Sequence, residues 1–469
     1  MQGKLQSPSF FTLHVENFGK ITKADIELSP FTLFVGDNNS GKSYMLTLIY
    51  GLLSNHTDKL LLEGFELLYQ DFFPLIQRFL KQEVNEYCFI KKEEIDLFTG
   101  IVNQILKLKK DDLSKVIFNK NIEIGTISLA FHYDEAKPIS LCFVRARNGE
   151  RQIILGSAGN PQIMEIDDNF INVSKVGTSR VLDVGKLQNL KELTPLLMLR
   201  LFRNLMLHGN FSGPAFLPTC RTGFVLTHKA LYADSILKAY TIEGRKSMNN
   251  LFLTAPMLEF AMKLSTFSSF TGHNIAERNN LVHFMEEKLL GGTIELSSMP
   301  VADLLYRPYG LAKALPMHVA SAIVTETAPL LLYIQKVAAT CLLIEEPEMC
   351  LHPKLQQVMA RVLIKTMNSG YYGIPVIAST HSDIIVQHVS NMSYLSLRPD
   401  RKQLMSEFGY DEDDLLEPEN VRIYQFDDKG IYSEVTPILW NTENGYVVST
   451  FIDALGSILQ HTIEITSED

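Results

Sequence analysis

Apolar and polar positions change period several times along the chain. The alternation is weak from Phe10 to Val15 and clean at Ala24, Ile26 and Leu28. Phe31 to Val35 is then an apolar run, Thr32 apart, closed by glycine. Alternation fits a strand with one wet face, and a short continuous run fits a strand buried on both faces. The first forty residues therefore read as strands, and Ser43 to Leu53 as a helix. Leu60, Leu61, Phe65, Leu68, Phe72, Phe73, Ile76 and Leu80 recur near helical spacing, so residues 57–120 read as mostly helical. Between Ile122 and Leu155 the period returns to two, through Ile127, Leu129 and Phe131 and then Ile139, Leu141 and Phe143. Asn148-Gly149 follows as a hairpin signal, and the stretch predicts a small antiparallel sheet.

Leu187 to Leu207 is a strongly apolar helix interrupted by Pro195, and Gly213 to Leu217 a short strand. Residues 223–290 are again mainly helical. Thr340 to Thr380 reads strand–helix–strand, which implies a parallel pair with a crossover helix. Residues 401–420, which include Asp411-Glu412-Asp413-Asp414, are polar and acidic and read as a solvated surface loop. Arg422 to Val435 reads as a hairpin turning at Asp427-Asp428-Lys429-Gly430. Arg200 and Arg203, on an otherwise apolar helix, are expected to face nucleic acid or a partner, or to snorkel at a subunit seam.

Composition narrows the class. Hydrophobic residues make up 46% of the 469 and charged residues 20%, which excludes disorder over most of the chain. No apolar run reaches the ~18 residues of a membrane helix, and the first residues lack the basic-then-apolar pattern of a secretion signal. The five cysteines are odd in number and form no Cys-x-x-Cys pair, which argues against a disulfide scaffold or zinc site and for a reducing, cytoplasmic setting. The net charge of −10 weighs against nucleic acid as the main partner, although a local basic patch on an assembly remains compatible with it.

Gly36-Asp37-Asn38-Asn39-Ser40-Gly41-Lys42-Ser43 fits the G-x-x-x-x-G-K-[S/T] phosphate loop, with a strand before it and a helix after. Glycines let backbone N–H groups converge on phosphate oxygens, and the helix N-terminus adds positive potential. Gly36, Asn38, Asn39, Ser40, Gly41, Lys42 and Ser43 are the expected nucleotide-binding residues. Lys42 would reach the β- and γ-phosphates and Ser43 would ligate Mg²⁺. Far downstream, Cys341-Leu342-Leu343-Ile344-Glu345-Glu346-Pro347 describes a buried strand that delivers carboxylates at its C-terminal edge. Glu345 is expected to hold Mg²⁺ and Glu346 to act as general base on the attacking water. The strand Ile374 to Thr380 ends at His381, which could touch the γ-phosphate.

These residues resemble the ABC-type ATPase heads of the SMC and OLD families. The resemblance runs through Val15-Glu16-Asn17-Phe18-Gly19, Gly36 to Ser43, Ile344-Glu345-Glu346-Pro347-Glu348, Leu351-His352-Pro353 and Ser379-Thr380-His381-Ser382. It implies an α/β fold: an ABC-type P-loop ATPase head with an antiparallel β subdomain and mainly helical insertions. It implies that Glu346 is the catalytic glutamate, His381 the switch histidine, and Leu351-His352-Pro353 a dimer-facing loop. The expected division is 1–56 and 296–400 for the two parts of the head, 121–222 for the β subdomain and connecting helix, 57–120 and 223–295 for helical insertions, and 401–469 for a C-terminal subdomain. The counterpart of the signature motif is His318 to Ile323, where Ser321 stands for the signature serine and the usual glycines are absent. Ser321 is read equally as a plain helix N-cap.

Phe216-Leu217-Pro218-Thr219-Cys220-Arg221-Thr222-Gly223-Phe224 resembles a Pro-x-x-Arg segment of the stand-alone ATPases of bacterial antiphage systems such as PARIS and Septu. The expectation is a slow, oligomeric, ATP- and Mg²⁺-dependent ATPase. It would answer a phage trigger by regulating a separate effector, a nuclease, with no membrane partner. The alternative is a DNA-repair or recombination ATPase head that binds DNA directly.

Overall fold

The protein is described by a computed structural model over residues 10–83, 86–133, 138–145, 151–157, 160–164, 166–167, 170–171, 190–207, 213–240, 253–267, 278–297, 303–337, 339–369 and 373–466. The chain opens with β1 (Phe11–Phe18), β2 (Ile21–Leu28) and β3 (Phe31–Gly36), which lead into α1 (Lys42–Leu53). Helices α2 (Asp58–Leu68), α3 (Phe73–Leu80) and α4 (Lys92–Phe118) follow, with the short strand β4 (Tyr87–Phe89) before α4. Next come β5 (Ile124–Phe131), β6 (Ile139–Arg145), β7 (Arg151–Ser157), β8 (Asn160–Met164), and the two-residue strands β9 (Ile166–Asp167) and β10 (Phe170–Ile171).

Helix α5 (Leu190–Leu207) precedes β11 (Ala215–Leu217), α6 (Arg221–Tyr240), α7 (Ala255–Thr266) and α8 (Asn279–Met285). A small antiparallel sheet follows, made of β12 (Gly292–Leu296), β13 (Leu304–Pro308) and β14 (Leu315–Pro316). The last part runs α9 (Ala322–Lys336), β15 (Leu342–Glu345), α10 (Pro353–Asn368), β16 (Val376–Ser379), α11 (Asp383–Leu397), α12 (Arg401–Phe408), β17 (Val421–Asp428), β18 (Ser433–Ile438) and α13 (Ser449–Thr466).

One nine-stranded sheet organises these elements, in the order β11-β15-β16-β3-β17-β18-β2-β1-β5. The strands from β11 to β17 are parallel to one another; β18 is antiparallel to β17 and parallel to β2, and β2, β1 and β5 continue antiparallel. The pleat of β3 shows why its sequence is apolar except at Thr32, whose hydroxyl donates to the Ser29 carbonyl at 3.1 Å. Phe34 enters one buried cluster with α1, α2, α4 and α5, while Leu33 and Val35 enter a second with α9, α10 and α11. A strand covered on both faces admits a polar side chain only where the protein itself satisfies it, as Ser29 does for Thr32.

Several expectations meet the structure here. The strand–helix–strand reading of Thr340 to Thr380 is β15, α10 and β16, paired in parallel. The hairpin at 422–435 is β17 and β18. The strands around 122–155 do not form one small sheet. β5 pairs with β1 at the edge of the main sheet, whereas β6 joins β4, β7 and β8 in a separate sheet. Local period identifies a strand but not its neighbour. The Asn148-Gly149 turn lies outside the described residues. The stretch 401–469 places β17 and β18 in the middle of the main sheet, beside β3.

Two charged groups expected at the surface are buried instead. Arg203 is 9% exposed and donates to the Leu52 and Ser54 carbonyls at 2.7 and 2.6 Å, with its charge met by Asp58. A cation there caps the carbonyl end of α1, where the helix dipole is negative. The acidic run is likewise not a solvated loop. Asp414 is fully buried and accepts from Arg361 Nε and Nη2 at 2.9 and 2.8 Å, with Lys365 Nζ at 3.2 Å. Asp411 takes a second bond from Lys365 at 2.5 Å. These acids bind the segment after α12 to α10.

Burial would raise the Asp414 carboxyl, but the hydrogen bond from Arg361 and the field of Lys365 hold it below its ordinary value. Its contribution to stability is present above the unfolded carboxylate range and is lost as pH falls through the lowered folded value. Asp414→Asn is therefore expected to cost about 3 kcal/mol at pH 7, and the difference from wild type should shrink below about pH 4. Urea unfolding at the two pH values checks this.

Candidate active site

The loop between β3 and α1 needs two glycines for identifiable reasons. Gly36 has φ 116° and Gly41 φ 102°. A Cβ at Gly36 would collide with the Phe426 carbonyl on β17, and one at Gly41 would lie 2.9 Å from the Ile21 side chain. The Asp37 N–H donates to the Phe426 carbonyl at 3.0 Å, and the Asp37 carboxylate accepts from the Asp428 N–H at 3.0 Å. Ser40 Oγ donates to the Asp37 carbonyl at 2.7 Å. Lys42 is only 6% exposed. Its ammonium donates to the Gly36 carbonyl at 3.0 Å and to the Asp37 carbonyl. Burial lowers its pKa to about 8, against the opposing fields of Glu346, Asp37 and Glu348. Asn38 and Asn39 stand exposed at the tip of the loop.

Register brings the other expected residues to the same edge. Glu345 on β15 lies level with Ser379 on β16, and Ser379 with Phe34 on β3. Glu345 is buried, and its carboxylate accepts from the Ser43 hydroxyl and, at 3.0 Å, from the Thr219 N–H. Burial raises its pKa and those two hydrogen bonds oppose the rise. Glu346 follows with φ 43°, in the left-handed region, and its N–H donates to the Ser379 carbonyl at 2.9 Å. Its carboxylate is part-exposed, 3.8 Å from His381 Nε2. The His381 ring is lowered by burial and by nearby Lys42, while its hydrogen bond to the Gly36 carbonyl opposes this, so it is neutral at pH 7. The His381 N–H donates to Glu348 at 2.6 Å.

Ser321 does not join this cluster. It is the exposed N-cap residue of α9, and its hydroxyl does not cap the helix. His352 caps α10, accepting from the Lys354 N–H at 3.3 Å.

Two residues at the site went without a role in the sequence reading. Arg221 is 2% exposed and donates to the Glu345 and Glu346 carbonyls at 2.7 and 3.1 Å, and Glu326 pairs with it at 3.1 Å. Each carries a signal in retrospect. Arg221 puts a cation on the first turn of α6, at the positive end of the helix dipole. Glu326 is a lone acid in the buried, apolar part of α9.

A glycine-bounded loop, a buried lysine, a hydroxyl–carboxylate pair and a part-exposed glutamate now share the C-terminal edge of an open parallel sheet. That arrangement suits the triphosphate of a nucleotide. The chain belongs to the AAA ATPase domain family, whose model matches residues 11–183 and 263–386. Among solved structures it is similar to the SMC head domain from Thermotoga maritima, at 11% identity and TM-score 0.33, over 91% of this chain and 98% of that one. No curated protein matches.

A magnesium ion fits the donors present. Ser43 and Glu345 offer hard oxygen atoms in contact with each other, and Glu345 is buried with its charge only partly met. Among the described residues no cluster of three or more His, Cys, Asp or Glu could hold a metal alone. A cation here would therefore complete its shell with phosphate and water oxygens, as Mg²⁺ does. Lys42→Ala is expected to weaken ATP binding roughly 100-fold, for the loss of about 3 kcal/mol of charge-assisted hydrogen bonding. Titration with a fluorescent ATP analogue measures this, and unchanged affinity would remove Lys42 from the site.

Proposed function

We propose that the chain is an ABC-type, Mg²⁺-dependent ATPase that turns over slowly and uses its nucleotide state to regulate a separate effector, a nuclease, in defence against phage. The observation that carries the ATPase part is the meeting of the 36–43 loop, Glu345, Glu346 and His381 at one sheet edge. Lys42 would exchange the Gly36 and Asp37 carbonyls for β- and γ-phosphate oxygens. Ser43 and Glu345 would hold Mg²⁺, which when bound neutralises charge on the phosphates. Glu346 would take the proton of a water as its oxygen attacks the γ-phosphorus and the bond to ADP breaks. The single ring N–H of neutral His381 would exchange the Gly36 carbonyl for the γ-phosphate and lose that contact after hydrolysis.

Self-association is part of the reading. The exposed start of α9 at Ser321 is free of a capping bond, and the resemblance to ABC-type heads gives this segment to a second copy's nucleotide. The missing glycines between His318 and Ile323 favour slow turnover. The Pro-x-x-Arg segment around Arg221 supports kinship with antiphage ATPases, and the five free cysteines support a reducing cytoplasm. Among the described residues no helix is long and apolar enough to cross a membrane. The net charge of −10 makes direct DNA binding the weaker alternative.

Phosphate release and mass photometry, with and without ATP–Mg²⁺, test the proposal. Wild type should hydrolyse ATP slowly as a stable assembly. Glu346→Gln should bind ATP with turnover at least about 100-fold lower. Normal turnover by that variant would remove Glu346 from the reaction, and a monomer under all conditions would remove the assembly.

A further inference from the structure

The geometry points to Arg221 as a positioning residue that holds the Glu346 backbone in its left-handed conformation and ties it to Glu326 on α9. The role deepens the ATPase reading, since it rests on Glu346 being the general base.

An L residue at φ 43° persists only where its surroundings hold it from both sides. Glu346 is held in this way. Its N–H is fixed by the Ser379 carbonyl, and its own carbonyl accepts from Arg221 Nη2 and from the Met349 N–H, each at 3.1 Å. Arg221 Nη1 takes the preceding carbonyl, that of Glu345, at 2.7 Å, and that of Pro218 at 3.1 Å. One planar fork thus spans both peptide groups at the point where β15 ends, a geometry an ammonium cannot reproduce.

A buried guanidinium needs a counter-charge, and Glu326 supplies it. The Arg221 Nε donates to the Glu326 main-chain carbonyl at 3.0 Å and faces its carboxylate at 3.1 Å. The other Glu326 oxygen accepts from the Thr222 N–H at 3.0 Å, and Thr222 and Thr325 hydroxyls bond at 2.6 Å. The fork is therefore oriented from α9, and Arg221 itself makes no hydrogen bond to the phosphate loop among the described residues. Losing this orientation should let Glu346 relax and swing its carboxylate away from the attacking water. The loop that grips the nucleotide would be left intact.

The test uses full-length Arg221→Lys, the isosteric Glu326→Gln, and the double variant. Each single change should lower kcat roughly tenfold or more, with KM and the ATP dissociation constant within about twofold of wild type. The double variant should fall little further than the worse single, because the two residues act as one unit. If Arg221→Lys does not fold, Glu326→Gln decides alone. A Glu326→Gln protein with wild-type kcat overturns the inference, as does a fall in kcat matched by an equal fall in ATP affinity. Failure of the ATPase reading looks different: wild type and Glu346→Gln would then bind ATP and release no phosphate alike, leaving no base to position.

Discussion

At Gly36 the backbone of β3 comes so close to the Phe426 carbonyl on β17 that no side chain fits between them. This approach sets the level of the neighbouring groups. It lets the Asp37 N–H reach that same carbonyl and the Asp37 carboxylate reach the Asp428 N–H, so the loop leaves the strand at a fixed angle. From there the chain must turn back over the Lys42 ammonium before α1 begins. On the other side of β3, the in-register pairing of β16 and β15 carries the same level across to Ser379 and Glu345. The site is a row of strand ends, and its precision is that of backbone pairing.

Charge is handled differently at this edge and elsewhere. Arg203 with Asp58, and Arg361 with Asp414, are closed pairs in which each buried ion meets its partner. At the sheet edge Lys42 rests on carbonyl oxygens, while burial shifts Glu345 and Glu348 upward. Groups whose charge is only partly met inside the protein are those able to accept a ligand's charge. The same contrast separates Arg203 and Arg361, each paired with a carboxylate, from Lys42, which rests on carbonyls.

Much of this was legible in the sequence where chemistry and period coincide. The octet from Gly36 to Ser43, the apolar run ending in Glu345-Glu346, and the strand before His381 each announce a polar group at the end of a buried strand. What local pattern could not carry was adjacency. Ile127 and Ile139 show the same alternation, yet β5 and β6 belong to different sheets. Asp414 reads as a surface acid until Arg361 and Lys365 arrive from α10, about fifty positions earlier. Arg203 reads as a surface cation and Arg221 goes without a role for the same reason: the carbonyls they cap lie in segments far away along the chain.

The place of β17 has a consequence for how the molecule comes into being. Asp37 and the Asp428 N–H that orders it are 391 residues apart, and both strands flanking β3 come from beyond residue 375. At about 5–20 residues per second, a ribosome needs roughly 20–80 seconds between making β3 and making β17. Through that interval β3 is an apolar strand with both edges bare, the kind of segment chaperones shield. The nucleotide cradle cannot assemble cotranslationally in step with its own sequence. Nucleotide binding would be acquired only after β17 has been made, hundreds of residues after the loop itself.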